Sequence, residues 1–144
     1  MQKLTVIECE KDSPFVEPLE ALFQQSWADF TFLKSDAFSS NLPPVFAALI
    51  GEKLAGGLSF TRHQAPNSEH DAIWVNALYV LPEYRTNGIA RTLLKSAERH
   101  AAKLGYSRLY AYTNVSYIYL SNGWKISETS SSSDHHVVHF QVRS

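Results

Sequence analysis

The stretch from Ala72 to Thr113 constrains the fold more than any other part of the chain. "AIWVNALYV" (72–80) is apolar at odd and even positions alike, so it reads as a strand covered on both faces and central in its sheet. From Ile89 to Leu104 the period changes to that of a helix. Ile89, Leu93, Ala97, Ala101 and Leu104 share one face, and Arg91, Lys95, Arg99 and Lys103 fall mostly off it. Gly105 stands where a helix C′ residue would, and "SRLYAYT" (107–113) returns to strand. A strand, a helix and a second strand in this order imply a parallel pair joined by a right-handed crossover.

The flanking segments read as antiparallel. "KLTVIE" (3–8) is an opening strand, and "SPFVEPLEALFQQSWADF" (13–30) a helix with Ser13 as N-cap and Pro14 at the first helical position. "VFAALIGEKLAGGLSFTRH" (45–63) is two apolar runs around "GEK", a hairpin, and Gly56–Gly57 imply a bulge or a close backbone approach. Beyond the crossover, "VSYIYLSN" (115–122) reads as a short helix stopped by Gly123, and "WKISET" (124–129) as a strand. The serine tract 130–133 is a turn and "HHVVHFQVR" (135–143) a closing strand. The expected fold is α/β: a mixed, mostly antiparallel central sheet with one parallel pair, flanked by helices, in a single domain over 1–144.

Composition narrows the function classes. Residues that are 44% hydrophobic and 19% charged, with a net charge of −1, describe a soluble globule with no general pull toward nucleic acid or anionic membrane. The single cysteine, Cys9, rules out an internal disulfide and a zinc-type cysteine cluster. The N-terminus reaches charged residues too soon for a signal peptide, and no apolar run approaches the roughly 20 residues of a membrane span. A cytoplasmic location is the expectation.

"LPEYRTNGIARTLL" (81–94) places an arginine, two small polar residues and Gly88 immediately before the crossover helix. The first N–H groups of that helix lack intrahelical partners, and its dipole makes this end partly positive, so the loop can hold an anion. Gly88 lets a ligand approach the backbone, Ala90 keeps the next position small, and Arg85 adds a donor fork for a phosphate oxygen. Neither Gly-x-x-x-x-Gly-Lys-Ser/Thr nor Gly-x-Gly-x-x-Gly is present. Taken alone, Arg-x-x-Gly-x-Ala also reads as a plain turn.

The context adds to that loop. "ALYVLPEYRTNGIARTLLKSAERHAAKLGYSRLYAYT" followed by "YLSNGW" resembles the GNAT family of acetyl-CoA-dependent N-acetyltransferases. The resemblance rests on Val80, the Pro82–Tyr84–Arg85 turn, the Arg85–Ala90 loop, and Tyr119 four residues before Gly123–Trp124. It implies that the parallel strands splay apart and that the pantetheine arm of acetyl-CoA runs along Leu78–Tyr79–Val80, bonding to the backbone of Leu78 and Val80. It implies that the loop Arg85, Thr86, Asn87, Gly88, Ile89 and Ala90 holds the pyrophosphate through its N–H groups. Asn114 is implied as a pantetheine contact, or else as the N-cap of the helix that follows. Relatives often pair through their sheets or C-terminal strands, so a homodimer is a further expectation.

Transfer of an acetyl group needs a neutral amine and a proton for the departing thiolate. A primary amine with a pKa of about 10.4 is only on the order of 0.1% neutral near neutral pH, so a base or a chain of waters is useful. By the resemblance Tyr119 protonates the thiolate; Tyr117 lies roughly 200° around the helix and cannot face the same sulphur. The alternative for Tyr119 is a core tyrosine bonded to backbone. The stretch from Asn114 to Tyr119 is about two residues shorter than in many relatives. Asn76 falls where some relatives carry a carboxylate or histidine; it can orient a water, or be a buried amide serving backbone freed by a splay or bulge. Glu69, His70 and Asp71 are further base candidates or simply solvated.

Other features carry less. In "HHVVH" the flanking valines and Phe140 argue for a strand, which sets His135 and His139 about 13 Å apart with His136 on the other side, so no metal site is expected. Cys9, far from the motif, gives no reason to expect an acyl-enzyme. The segment "SWADFTFLKSDAF" (26–38) is the candidate acceptor wall, through Trp27, Phe30 and Phe32 with Asp29 or Asp36 attracting a cationic amine; its aromatics serve equally as core. The expected activity is direct acetyl transfer in a ternary complex to a small-molecule amine or a protein amino group. The alternatives are a non-catalytic acyl-CoA-binding module and a purely structural one.

Overall fold

The computed structural model describes residues 3–32, 37–38, 42–66, 68–85, 88–129 and 136–142. Seven strands form one sheet: β1 (Leu4–Cys9), β2 (Val45–Ile50), β3 (Lys53–Gln64), β4 (Asp71–Val80), β5 (Arg108–Thr113), β6 (Lys125–Thr129) and β7 (His136–Gln141). Their order across the sheet is β1-β2-β3-β4-β5-β7-β6, which puts β4 in the middle. Every neighbouring pair is antiparallel except β4–β5. The helices are α1 (Val16–Phe23), α2 (Ile89–Lys103) and α3 (Ser116–Leu120), with a short 3₁₀ turn at Pro82–Tyr84.

Strand periodicity divides the interior in two. Along β2, Phe46 and Ala48 join a core that includes Leu58, Phe60, Ile73, Leu93, Leu94, Ala97 and Leu109. Val45 and Ala47 point the opposite way, into a smaller core with Cys9, Leu19, Phe23, Phe32 and Ala77. Helix α2 therefore covers one face of the sheet and α1 the other. The glycine pair allows that second contact: a Cβ on Gly57 would collide with the Leu19 side chain, and one on Gly56 would lie 2.6 Å from the Tyr79 carbonyl oxygen. A bulge accompanies the close approach, since Ala48 pairs with Gly56 but Leu49 with Leu54.

The first helix is shorter than the expected 13–30. Pro18 explains the late start: in a helix beginning at Pro14 its ring would strike the carbonyl of residue 14, whereas in α1 it sits in the first turn, where no N–H is needed. Ser13 is not the N-cap and Pro14 is not the first helical residue; Phe15 holds the cap position, and the Ser13 hydroxyl accepts the Phe15 N–H at 3.2 Å. Beyond Phe23 the chain turns back because Trp27, Phe30 and Phe32 pack around the Phe23 ring, and Glu20 Oε2 accepts the Phe32 N–H at 2.8 Å.

In α2 the buried face is Ile89, Leu93, Leu94, Ala97 and Ala101, joined by Ser96 and Glu98, whereas Leu104 is exposed rather than part of that face. Gly105 follows the helix with φ +90°, as its C′ position requires. The third helix covers only 116–120 of the expected 115–122. Of the closing elements, the serine tract 130–133 and His135 lie outside the described residues. Among those described, no helix is long and apolar enough to cross a membrane.

Candidate functional site

The middle of the sheet opens at one end. Strands β4 and β5 pair at Ile73, Trp74 and Val75 with Leu109, Tyr110 and Ala111, and no further, although β4 continues to Val80 and β5 to Thr113. On its other edge β4 stays paired with β3 up to Val80. The Leu81 N–H donates to the Ala55 carbonyl at 2.8 Å, so by the alternation of a strand Leu81 and Tyr79 direct their main-chain groups toward β3. Those of Leu78 and Val80 then face the gap that β5 has left. Asn76 is the extra residue of a bulge, because Ser59 pairs with Ala77 and Phe60 with Val75. It is exposed, not a buried amide.

The chain leaves the gap through the 3₁₀ turn and reaches α2. Arg85 folds back over it: Nε donates to the Val80 carbonyl at 2.8 Å, and the guanidinium lies 5.3 Å from the Tyr79 ring centre. The remaining Arg85 nitrogens keep their donors. Thr86 and Asn87 lie outside the described residues. Gly88 caps α2 with φ +78°, and a Cβ there would meet nothing within 4 Å. Its carbonyl accepts the Thr92 N–H at 3.0 Å and the Thr92 hydroxyl at 2.9 Å, closing the first turn. The first N–H groups, at Ile89 and Ala90, have no intrahelical partner, and the first turn holds no acidic residue to occupy them.

Tyr119 and Tyr117 separate as their spacing requires: Tyr119 is 4% exposed and Tyr117 is 70% exposed. The Tyr119 ring meets Trp124 edge-on at 5.0 Å. Its carbonyl accepts the N–H of Asn122 at 3.0 Å and of Trp124 at 3.1 Å. The hydroxyl has no hydrogen bond among the described residues, so it is not tied to backbone, and burial raises its pKa well above the usual tyrosine value. Trp124 in turn donates its indole N–H to Glu98 Oε2 at 3.1 Å. Asn114 is exposed and does not cap α3; the Thr113 hydroxyl accepts the Val115 N–H at 2.9 Å instead.

Two residues here escape a reading of motifs, Glu98 and Thr113. Glu98 carries a usable signal: it lies four residues after Leu94 and three before Ala101, on the apolar stripe of α2. An acid at such a position needs a buried donor, and a tryptophan follows the next strand.

The remaining candidates are scattered. Glu69, His70 and Asp71 are exposed at the start of β4, roughly 25 Å along the strand from its open end, so they are not brought to the gap. Phe30 and Phe32 belong to the α1 core, while Trp27 and Asp29 are exposed; Asp36 lies outside the described residues. Residues 136–141 form the expected strand, and among the described residues no three His, Cys, Asp or Glu side chains converge as a metal site would need. Ser127 and His139 share a hydrogen bond through Oγ and Nδ1. Burial, and then the charges of Arg108 and Lys125, hold His139 below the usual imidazole range. These three basic residues line a cavity of about 300 Å³ at the N-terminal end of β5, away from the opening.

The model of the acetyltransferase (GNAT) family matches residues 6–118. No curated protein sequence matches the chain. Among solved structures, an aminoglycoside 6'-N-acetyltransferase complexed with coenzyme A superimposes with TM-score 0.76 at 15% identity, covering 97% of this chain and 98% of that one. The PaiA N-acetyltransferase of Thermoplasma acidophilum in complex with coenzyme A gives 0.69 at 19% identity, covering 96% and 99%. Naa50 of Arabidopsis thaliana in complex with the bisubstrate analogue CoA-Ac-MVNAL gives 0.71 at 15%, covering 96% and 98%. At these identities the likeness is one of fold: the same mixed sheet with its parallel pair.

Proposed function

The chain belongs to the GNAT family of acetyltransferases, and from that membership we propose that it moves an acetyl group from acetyl-CoA directly to an amine held in the same complex. The observation that carries the reading is the gap beyond Val75 and Ala111, which leads from the free edge of β4 to the N-terminus of α2. The gap fits a pantetheine arm, since Leu78 and the Val80 N–H offer strand-edge groups to an extended chain on the side β5 has vacated, the Val80 carbonyl being bonded to Arg85. At its end the N–H groups of Ile89 and Ala90, which have no partner within the helix, the open space at Gly88 and the spare donors of Arg85 form a cradle for a pyrophosphate. Thr86 and Asn87 complete that loop in sequence, and Asn114 stands at the mouth of β5 as a further pantetheine contact. Structures that the chain resembles hold coenzyme A, which supports acetyl-CoA as the donor.

When bound, acetyl-CoA supplies a thioester carbonyl for the amine to attack and a thiolate to leave. Tyr119 delivers its hydroxyl proton to the sulphur as the carbon–sulphur bond breaks and recovers one from solvent afterwards. Its raised pKa keeps the phenol protonated throughout the working range. Asn76, exposed in the bulge, orients a water that accepts the proton lost by the amine. Cys9 takes no part: it is buried in the α1 core and burial raises its thiol pKa, which leaves little thiolate for an acyl-enzyme. The lack of a carboxylate or imidazole at Asn76 is what favours the second reading, a module that binds acyl-CoA without turning it over.

One variant separates the two. Tyr119→Phe removes the proton donor and little else, so thiol release from acetyl-CoA in the presence of an amine should fall by roughly 10²–10⁴-fold. The rise in melting temperature with acetyl-CoA should persist. Unchanged turnover would remove Tyr119 from the reaction. A wild-type protein that acetyl-CoA stabilises, but that releases no thiol with any of a broad amine panel, would favour the binding module.

A further inference from the structure

We propose that Glu98 is a positioning residue for Tyr119, acting through the Trp124 ring; the inference rests on the reading of Tyr119 as the proton donor. Glu98 is 8% exposed on the apolar face of α2, where a leucine would bury more apolar surface and need no partner. Its carboxylate is used on both oxygens. Oε1 lies 3.4 Å from the Lys95 ammonium, itself partly exposed, and Oε2 accepts the Trp124 indole N–H at 3.1 Å. Trp124 is 2% exposed, so its indole N–H has no water to turn to and depends on that oxygen.

The bond fixes more than the indole. Trp124 stands between two rings, Tyr119 edge-on at 5.0 Å and Phe140 tilted at 5.9 Å. Its main-chain N–H, with that of Asn122, also donates to the Tyr119 carbonyl. Tyr119 is therefore held at its backbone by the turn after α3 and at its ring by a tryptophan whose angle Glu98 sets. Its hydroxyl has no hydrogen bond among the described residues, so packing orients the ring, and Trp124 is the aromatic ring in contact with it within that core. Glu98 rides on the helix whose first turn carries the phosphate cradle, roughly 13 Å away along the axis. One rigid element thus aligns the anion site with the proton donor.

The test compares Glu98→Leu, which removes the acceptor, with Glu98→Gln, which keeps an oxygen for the indole, and Trp124→Phe, which removes the donor and keeps a ring. Each is made in the wild-type and in the Tyr119→Phe background. Thiol release from acetyl-CoA is followed with the fastest amine of a panel. In parallel, 19F NMR of protein labelled with 3-fluorotyrosine follows its seven tyrosines, the Tyr119 line being the one absent from Tyr119→Phe. Glu98→Leu and Trp124→Phe should lower kcat by about tenfold or more with KM for acetyl-CoA unchanged, whereas Glu98→Gln should stay within about threefold of wild type. In the Tyr119→Phe background neither substitution should lower kcat further. The Tyr119 line should shift or broaden in Glu98→Leu and not in Glu98→Gln, the other tyrosine lines holding still. Equal losses in both backgrounds, or a Tyr119 line indifferent to Glu98→Leu, would overturn the inference. Tyr119→Phe with wild-type kcat would instead overturn the proton-donor reading on which it rests. Should Glu98→Leu fail to fold, Trp124→Phe carries the same comparison, and with no active amine the NMR arm decides.

Discussion

Gly88→Ala tests the phosphate cradle without touching a charged side chain. The glycine has φ +78°, a conformation that costs an L-residue roughly 1–2 kcal/mol, and a Cβ there meets nothing within 4 Å, so backbone strain is the whole penalty in the protein alone. For a chain of this size the melting temperature should fall by roughly 3–6 °C. The ligand-dependent term is separate. Acetyl-CoA at about 100 times its Kd stabilises the wild type by about 2.7 kcal/mol, or roughly 8 °C. A methyl group beside the first N–H groups of α2 keeps a phosphate from one of its charge-assisted bonds. Such a bond is worth about 1.5–3 kcal/mol, so affinity should drop by roughly 10–100-fold. At the same acetyl-CoA concentration the rise should shrink to about 4 °C or less. Gly88→Asn sharpens the comparison, since asparagine tolerates the left-handed region: it should recover much of the lost melting temperature and none of the lost ligand response. Differential scanning fluorimetry with and without acetyl-CoA reads both terms. A full acetyl-CoA response in Gly88→Ala would refute the cradle and leave the loop as a turn.

Two further outcomes concern the scaffold. Gly57→Ala places a methyl group on Leu19 of α1, an overpacking that should cost about 1–3 kcal/mol and lower the melting temperature by roughly 3–9 °C; an unchanged value would show that α1 is not seated on β3 at that point. His139 is held below its usual range by burial and by Arg108 and Lys125, with Tyr110, Ser127 and Gln141 the other groups around it. The unfolded chain therefore binds the proton at higher pH than the folded one. The stability this difference provides is fully present above the unfolded value of 6.5 and is lost as pH falls toward the folded value. His139→Gln should accordingly flatten the decline of melting temperature below pH 6.5, and parallel curves for the two proteins would contradict the shift.

Much of the site was legible because its parts are local. The start of α2 and the φ > 0 glycine at position 88 depend on neighbours within a turn, and the two-sided apolar pattern of 72–80 is enough to make β4 central. The same holds for the hairpin at Gly51 and the end of α2 at Gly105. The late start of α1 is local too: Pro18 forbids a helix from Pro14, a steric fact carried by two residues.

The rest depended on distant partners. Alternation alone could not say that β4 and β5 part after Val75, since nothing in either strand's pattern changes there; the separation belongs to the pair. Whether Asn76 is buried turned on a bulge against Ser59 and Phe60, and whether Asn114 caps α3 turned on Thr113 reaching the N–H first. Glu69, His70 and Asp71 lie within ten residues of the gap in sequence but at the opposite end of a strand in space, because each strand residue adds about 3.3 Å. The carboxylate of Glu98 finds its donor 26 residues away. The sequence by itself thus determined the crossover, the central strand and the start of α2 after Gly88, all set by steric and periodic rules acting over a few residues. Only tertiary structure decided which side chains surround Tyr119, because hydrogen-bond and ring contacts between separate elements are decided when those elements pack.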